Sequence, residues 1–119
     1  MALNYLPMPR DPAFLFYPED WNTPNTYDSN FKSPPERSGV YLLVHPNIDL
    51  KNKTLEYQIM YVGSAKDLAQ RYDRHEVRRF LNEVYGYIQF YFKETDNYKL
   101  VEIDLIKSIR PKFNKQHNG

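Results

Sequence analysis

Residues 57–68 read Tyr57-Gln58-Ile59-Met60-Tyr61-Val62-Gly63-Ser64-Ala65-Lys66-Asp67-Leu68, and within this stretch the chain changes character. Up to Gly63 the run is aromatic and β-branched, the composition of a pleated strand. Beyond it, Ser64 with Asp67 three residues on resembles a capping box with Asp in place of Glu. Leu68, Tyr72, Phe80, Leu81 and Val84 then follow at helical spacing. The stretch predicts a strand leading directly into a helix, with a bend near His75.

Working outward, Gly39-Val40-Tyr41-Leu42-Leu43-Val44-His45 has the same strand texture and is interrupted by Pro46, Asn47 and Asp49. With a polar stretch around Asn52 between them, the two runs predict a hairpin with a long loop at its tip. Downstream, Gly86 closes the helix and Tyr87-Ile88-Gln89-Phe90-Tyr91-Phe92-Lys93 predicts a well-buried third strand. Thr95 or Asp96 stands where a second helix would be capped. That helix is expected from about Asn97 to Arg110, because Pro111 biases its predecessor out of helical geometry. The order β-β-α-β-α belongs to the α+β class.

Residues 1–37 carry seven of the nine Pro together with Phe14, Phe16, Tyr17, Trp21, Tyr27 and Phe31, without a sustained period. Proline forbids long regular elements here, while the aromatic rings are costly to leave in water. An irregular N-terminal arm packed on a core domain of residues 38–119 is expected, and the short polar tail after Asn114 should fray.

The chain has 119 residues, enough for one modest core. It is 41% hydrophobic and contains eleven Tyr, which excludes a compositionally disordered chain. No window reaches the apolar length of a membrane span, and the N-terminus lacks a basic region followed by an apolar run, so a cytoplasmic protein without a membrane partner is expected. The absence of Cys removes disulfides, thiolate metal sites and a Cys nucleophile, leaving oxygen or nitrogen ligands for any metal. A formal charge of only +1 means that any nucleic-acid contact must rest on local positive charge.

Three places can carry chemistry. Val101, Leu105, Ile106 and Ile109 share one face of the predicted second helix, and Glu102 lies in the middle of it. A carboxylate on an apolar stripe needs a hydrogen bond, an ion pair or a metal to compensate it. On the first helix Arg71 and His75 are four apart and face the same side, whereas Arg74, Arg78 and Arg79 form a basic decoration suited to phosphates. Tyr41 and Tyr61 take equivalent places on the hairpin strands, each beside a Gly that permits close approach. A salt bridge for Glu102, a solvated basic face and ordinary core tyrosines are the structural alternatives to each.

Taken in order, Gly39-Val40-Tyr41, then Tyr61-Val62-Gly63-Ser64-Ala65-Lys66-Asp67-Leu68 with Arg71, then Glu102 with Leu105-Ile106-Lys107, then Arg110-Pro111-Lys112-Phe113-Asn114 resemble the GIY-YIG nuclease family, nearest in texture to its excision-repair members. The resemblance covers residues 38–114. It implies a three-stranded antiparallel sheet flanked by helices, and metal-dependent endonuclease hydrolysis of DNA phosphodiesters with one Mg²⁺ or Mn²⁺. In that pattern Glu102 is the metal ligand, Arg71 stabilises charge on the phosphoryl oxygens and Tyr61 is the tyrosine proposed as general base. Tyr41 is its hydrogen-bonding neighbour, His75 a second candidate for proton transfer, and Asn114 a brace. Ser64, Lys66, Arg74, Arg78 and Arg79 would contact nucleic acid. DNA is the expected partner, RNA is a second candidate, and a homodimer or a targeting protein would supply specificity. Ser64 stands where repair-type members often have a lysine, so the identity of the base stays open. Two other readings remain beside the enzyme: a nuclease-derived nucleic-acid-binding module without turnover, and an interaction protein in which Glu102 and Arg71 form a buried ion pair.

Overall fold

The computed structural model describes residues 16–24, 33–111 and 113–114. Strand β1 (Gly39–Asp49) lies at the centre of a three-stranded sheet, with β2 (Thr54–Ala65) on one side and β3 (Gln89–Glu94) on the other. Both pairings are antiparallel. Helices α1 (Leu68–Asp73) and α2 (Glu76–Tyr85) connect β2 to β3, and α3 (Tyr98–Ile109) follows β3. The chain is therefore α+β, with its three strands in the expected sequence and two helices rather than one between β2 and β3.

The hairpin departs from expectation. Pro46 and Asn47 do not interrupt β1, which stays paired with β2 from Gly39↔Ala65 to Asp49↔Thr54. The tip is short, residues 50–53. There Asp49 Oδ1 accepts from the Lys51 and Asn52 N–H groups at 3.0 and 3.2 Å, and Oδ2 accepts from Asn52 Nδ2 at 2.8 Å. The backbone and side-chain hydrogen bonds from Asn52 hold the Asp49 carboxyl below its ordinary pKa. Lys53 completes the turn in the left-handed region, at φ 56°. Pro46 is tolerated because β3 pairs only with Gly39–Val44, so β1 has become an edge strand by then.

One irregularity organises both faces of the sheet. The β1–β2 register shifts between Leu43, opposite Tyr61, and Val44, opposite Ile59. Met60 is the extra residue of a β-bulge, so Met60 and Tyr61 both turn to the face that carries Tyr41, Leu43, Phe90 and Phe92. Leu68 from α1 and Leu81 from α2 close that face. On the opposite face Leu42, Val44, Val62 and Tyr91 pack with Ile109 of α3, while Tyr57 and Ile59 lie beside them.

The predicted single helix is two. Asp67, not Ser64, is the α1 N-cap, and its Oδ1 accepts from the Gln70 N–H at 3.1 Å. Ser64 belongs to β2. The helix stops at Arg74, and His75 starts α2 in an extended conformation, φ −89° and ψ 106°. This break resets the helical phase. Val77, Leu81 and Tyr85 turn inward, whereas Phe80 and Val84, expected on the inner face, are more than half exposed. Strand β3 begins at Gln89 rather than Tyr87, and Tyr87 is exposed. Helix α3 has Asn97 as its N-cap residue, and Thr95 Oγ1 accepts the Asn97 N–H at 3.2 Å.

The described parts of the N-terminal arm pack on the sheet. Pro18–Asp20 forms a 3-10 turn, and Phe16 meets Tyr57 and Tyr91 edge-on with ring centroids 5.4 and 5.3 Å apart. Asn22 exchanges two backbone hydrogen bonds with Phe92, at 3.0 and 2.7 Å, on the outer edge of β3. Residues 1–15, 25–32, 112 and the tail 115–119 lie outside the described residues. No helix among the described residues is long and apolar enough to cross a membrane.

Candidate active site

Four elements converge on the phenol oxygen of Tyr41. This side chain is buried at 1% exposure and is not directly opposite Tyr61 in the sheet. Its cross-strand partner is Gly63, while Tyr61 pairs with Leu43, so the two tyrosines are diagonal neighbours with ring centroids 6.2 Å apart. The glycine has a definite purpose. A Cβ at Gly63 would fall on the Tyr41 ring and hydroxyl, so the space that Gly63 leaves is occupied by Tyr41 itself.

From the α1–α2 joint, His75 Nε2 lies 2.7 Å from the Tyr41 oxygen, and from α1 the Arg71 Nε–H donates to the same oxygen at 3.3 Å. The break in the helix thus brings both residues to one atom. The other ring nitrogen of His75 fixes the direction of the first bond. Nδ1 accepts the Arg78 backbone N–H at 3.1 Å, which places the imidazole hydrogen on Nε2 and makes His75 the donor to Tyr41. A second proton on Nδ1 would face the Arg78 N–H and uncap α2. The buried imidazole is therefore committed to structure at both nitrogens.

With two donors pointing at its oxygen, Tyr41 has its own hydrogen left for Tyr61. Burial raises the pKa of both phenols, and Tyr41 is the more strongly affected. For Tyr61 the Arg71 charge pulls the other way and the Glu102 charge adds to the rise. Partial burial works against the Arg71 charge, but its bonds and charge interactions with the two phenols more than offset this, leaving its pKa above the ordinary value.

Glu102 enters from α3. Its Oε1 accepts the Ser64 hydroxyl at 2.5 Å, a short charge-assisted bond. Among the described residues Glu102 is paired with this hydroxyl and not with Arg71. That partner answers the compensation problem posed by a carboxylate on an apolar helix face, and Ser64 acquires an orienting contact in addition to its place on the surface.

Ser64 and Arg71 both line an open cleft of about 630 Å³, together with Glu36, Ala65, Lys66, Asp67, Gln70 and Arg74. Of the basic residues expected to meet phosphates, Lys66 and Arg74 stand beside Arg71 in this cleft. Arg78 does not join them. Its guanidinium lies 4.1 Å over the Tyr72 ring and donates to the Tyr72 carbonyl at 2.6 Å, which holds it to the fold. Arg79 is exposed on α2. Glu36 and Gln70 in the cleft carried no motif that marked them in the sequence.

Asn114 lies at the outer edge of β2 and is 3% exposed. Its Oδ1 accepts the Val62 N–H and its Nδ2 donates to the Val62 carbonyl, both at 2.7 Å. The side-chain amide thereby pairs with Val62 as a neighbouring strand would. The adjacent Phe113 N–H donates to the Met60 carbonyl at 3.1 Å, so both sides of Tyr61 are tied down.

No family model, curated protein or solved structure matches the chain.

Proposed function

We propose that the protein is a divalent-metal-dependent endonuclease acting on DNA. The observation that carries this reading is that two residues on the wall of one cleft, Arg71 and Ser64, are bonded directly behind it to Tyr41 and Glu102, with Tyr61 beside Tyr41. Tyrosines, an arginine and a carboxylate from β1, β2, α1 and α3 have no common structural requirement for one another. They do have a common use on a phosphodiester.

Glu102 and the Ser64 hydroxyl are hard oxygen groups, and the described residues hold no cluster of three His, Cys, Asp or Glu side chains. One carboxylate suits Mg²⁺ or Mn²⁺, which keep several waters and share the remaining positions with substrate oxygens. Such an ion, held by Glu102, would supply Lewis acidity to the phosphate and the leaving oxygen. Ser64 fixes one carboxylate oxygen and leaves the other for the ion. Arg71, tied to Tyr41 through Nε, presents a permanent charge to the phosphoryl oxygens from a fixed anchor. Tyr61 orients the attacking water with its phenol oxygen, and Tyr41 orders Tyr61 behind it. Because burial keeps both phenols protonated, positioning is the task their environment favours. Lys66 and Arg74 hold flanking phosphates.

The same raised phenols favour a second reading, a nucleic-acid-binding module without turnover. The two are separated by incubating the purified chain with supercoiled plasmid, branched DNA and RNA, with and without Mn²⁺, beside Glu102→Gln. Metal-dependent cleavage that Glu102→Gln abolishes supports the nuclease. Equal cleavage by the variant overturns the assignment of Glu102, and salt-sensitive binding without cleavage under any divalent ion favours the module.

A further inference from the structure

Beyond Val44 the sheet narrows to two strands, because β3 ends there while β1 and β2 continue to the turn at residues 50–53. This ribbon carries apolar side chains where a soluble surface would place polar ones. Ile48 and Leu55 are direct cross-strand partners, so they share a face; they are 64% and 51% exposed. Leu50 follows in the turn at 83% exposure. The exposed Lys51 and Lys53 flank Asn52 at the apex. Of the two nearby acids, Asp49 spends its carboxylate on the turn's own N–H groups, and Glu56 pairs with Asn47, one position out of phase with Ile48 and Leu55. The apex thus presents an exposed apolar residue, Leu50, followed by two positive charges on either side of Asn52.

We propose that this ribbon is a second nucleic-acid contact, separate from the cleft, which enters a groove of duplex DNA with Leu50 leading and Lys51 and Lys53 on the flanking phosphates. The inference rests on the nuclease reading for the identity of the polyanion. Two-stranded ribbons enter DNA grooves, and in the minor groove exposed Leu or Ile side chains act as wedges at base steps while lysines take the backbone. A bilayer is the less suitable occupant, since three aliphatic side chains bury little apolar surface compared with the lipid chains that anchor proteins. Tyr41 and Asp49 are eight residues apart on β1, about 26 Å of strand. The ribbon contact therefore falls within about eight base pairs of the cleft.

The test measures binding of the full chain to a fluorescent 24-base-pair duplex at several salt concentrations, with the distance between duplex ends followed by energy transfer. Leu50→Ser should weaken binding about tenfold and remove any end-to-end shortening. The double variant Lys51→Gln/Lys53→Gln, which alters only surface charge and leaves the Asp49 turn intact, should reduce the slope of log K against log salt by about two. Arg71→Ala/Arg74→Ala reports on the cleft independently. If both tip variants bind as the wild type does while the cleft variant is impaired, the ribbon proposal is overturned and the cleft reading stands. If the wild type binds no duplex under any divalent ion, both fall. Tip-dependent binding to phosphatidylserine vesicles without duplex binding would assign the ribbon to a membrane and overturn the proposal.

Discussion

Replacing Asn114 tests the architecture at its most concentrated point. The Asn114 amide satisfies both backbone groups of Val62 at 2.7 Å, and Val62 is fully buried. Asn114→Ala leaves an N–H and a C=O without partners, each costing about 1–3 kcal/mol. Allowing for relaxation of the adjoining segment, a loss of about 3 kcal/mol follows, or roughly 10 °C in Tm for a domain of this size. Asn114→Asp sharpens the test. Ionised, its second oxygen faces the Val62 carbonyl; protonated, it donates there as the amide does. The folded state therefore raises the carboxyl above the ordinary value of about 3.9. Stability contributed by that proton is fully present below the unfolded pKa and is lost as pH rises through the folded one. Relative to wild type at the same pH, Asn114→Asp should be more stable at pH 4 than at pH 7, read from urea midpoints followed by circular dichroism. An Asn114→Ala variant within about 0.5 kcal/mol of wild type, or an Asp variant without the acid recovery, would refute the role assigned to this amide.

Gly63→Ala forces a methyl group onto the Tyr41 ring and should cost about 1–3 kcal/mol, visible in thermal melts; an unshifted melt contradicts the packing described. His75→Ala removes the α2 cap and the donor to Tyr41, whereas Asn is a good cap that cannot serve both groups, so His75→Asn should lie nearer wild type by about 1 kcal/mol. Because burial raises Tyr41 above its ordinary 10.0, the stability it contributes is complete below pH 10 and declines as pH rises from there. Denaturant midpoints between pH 8 and 11.5 should show this decline, and Tyr41→Phe should make it shallower. Ser64→Ala should weaken Mn²⁺ binding, followed by paramagnetic resonance, about tenfold or more; unchanged affinity would mean that Ser64 does not orient Glu102.

The sheet was legible because its signals are local and redundant. Strand-rich runs at 39–45, 57–63 and 87–93 each contain several β-branched or aromatic residues, and tertiary packing had no reason to override them. The misread places are those where one side chain decides. Nothing in the spacing of Leu68, Tyr72 and Leu81 reveals that His75 will break the helix to cap the next one. A helical reading carried across that joint consequently puts Phe80 and Val84 on the wrong side. Pro46 looked like a strand end because the sequence does not say that β3 stops at Val44. In the candidate site, Tyr41, Arg71 and His75 could be grouped from sequence, whereas the Ser64–Glu102 bond joins positions 38 residues apart that no period relates. Arg78 was assigned to the basic surface by charge alone, and Tyr72 holds it to the fold.

The bulge at Met60 also has a bearing on how this chain can vary by inheritance. With Met60 present, Tyr57 and Ile59 serve one face and Tyr61 the other. Leu43 and Val44 are consecutive, so loss of that single codon would make Ile59 and Tyr61 consecutive as well, restoring strict alternation with both halves of β2 on their present faces, whereas an added residue would oblige one half to turn over. Substitutions at position 60 that keep an apolar side chain cost packing alone. The chain should therefore accept the loss of a residue at this point, at the cost of the packing of Met60, more readily than the gain of one.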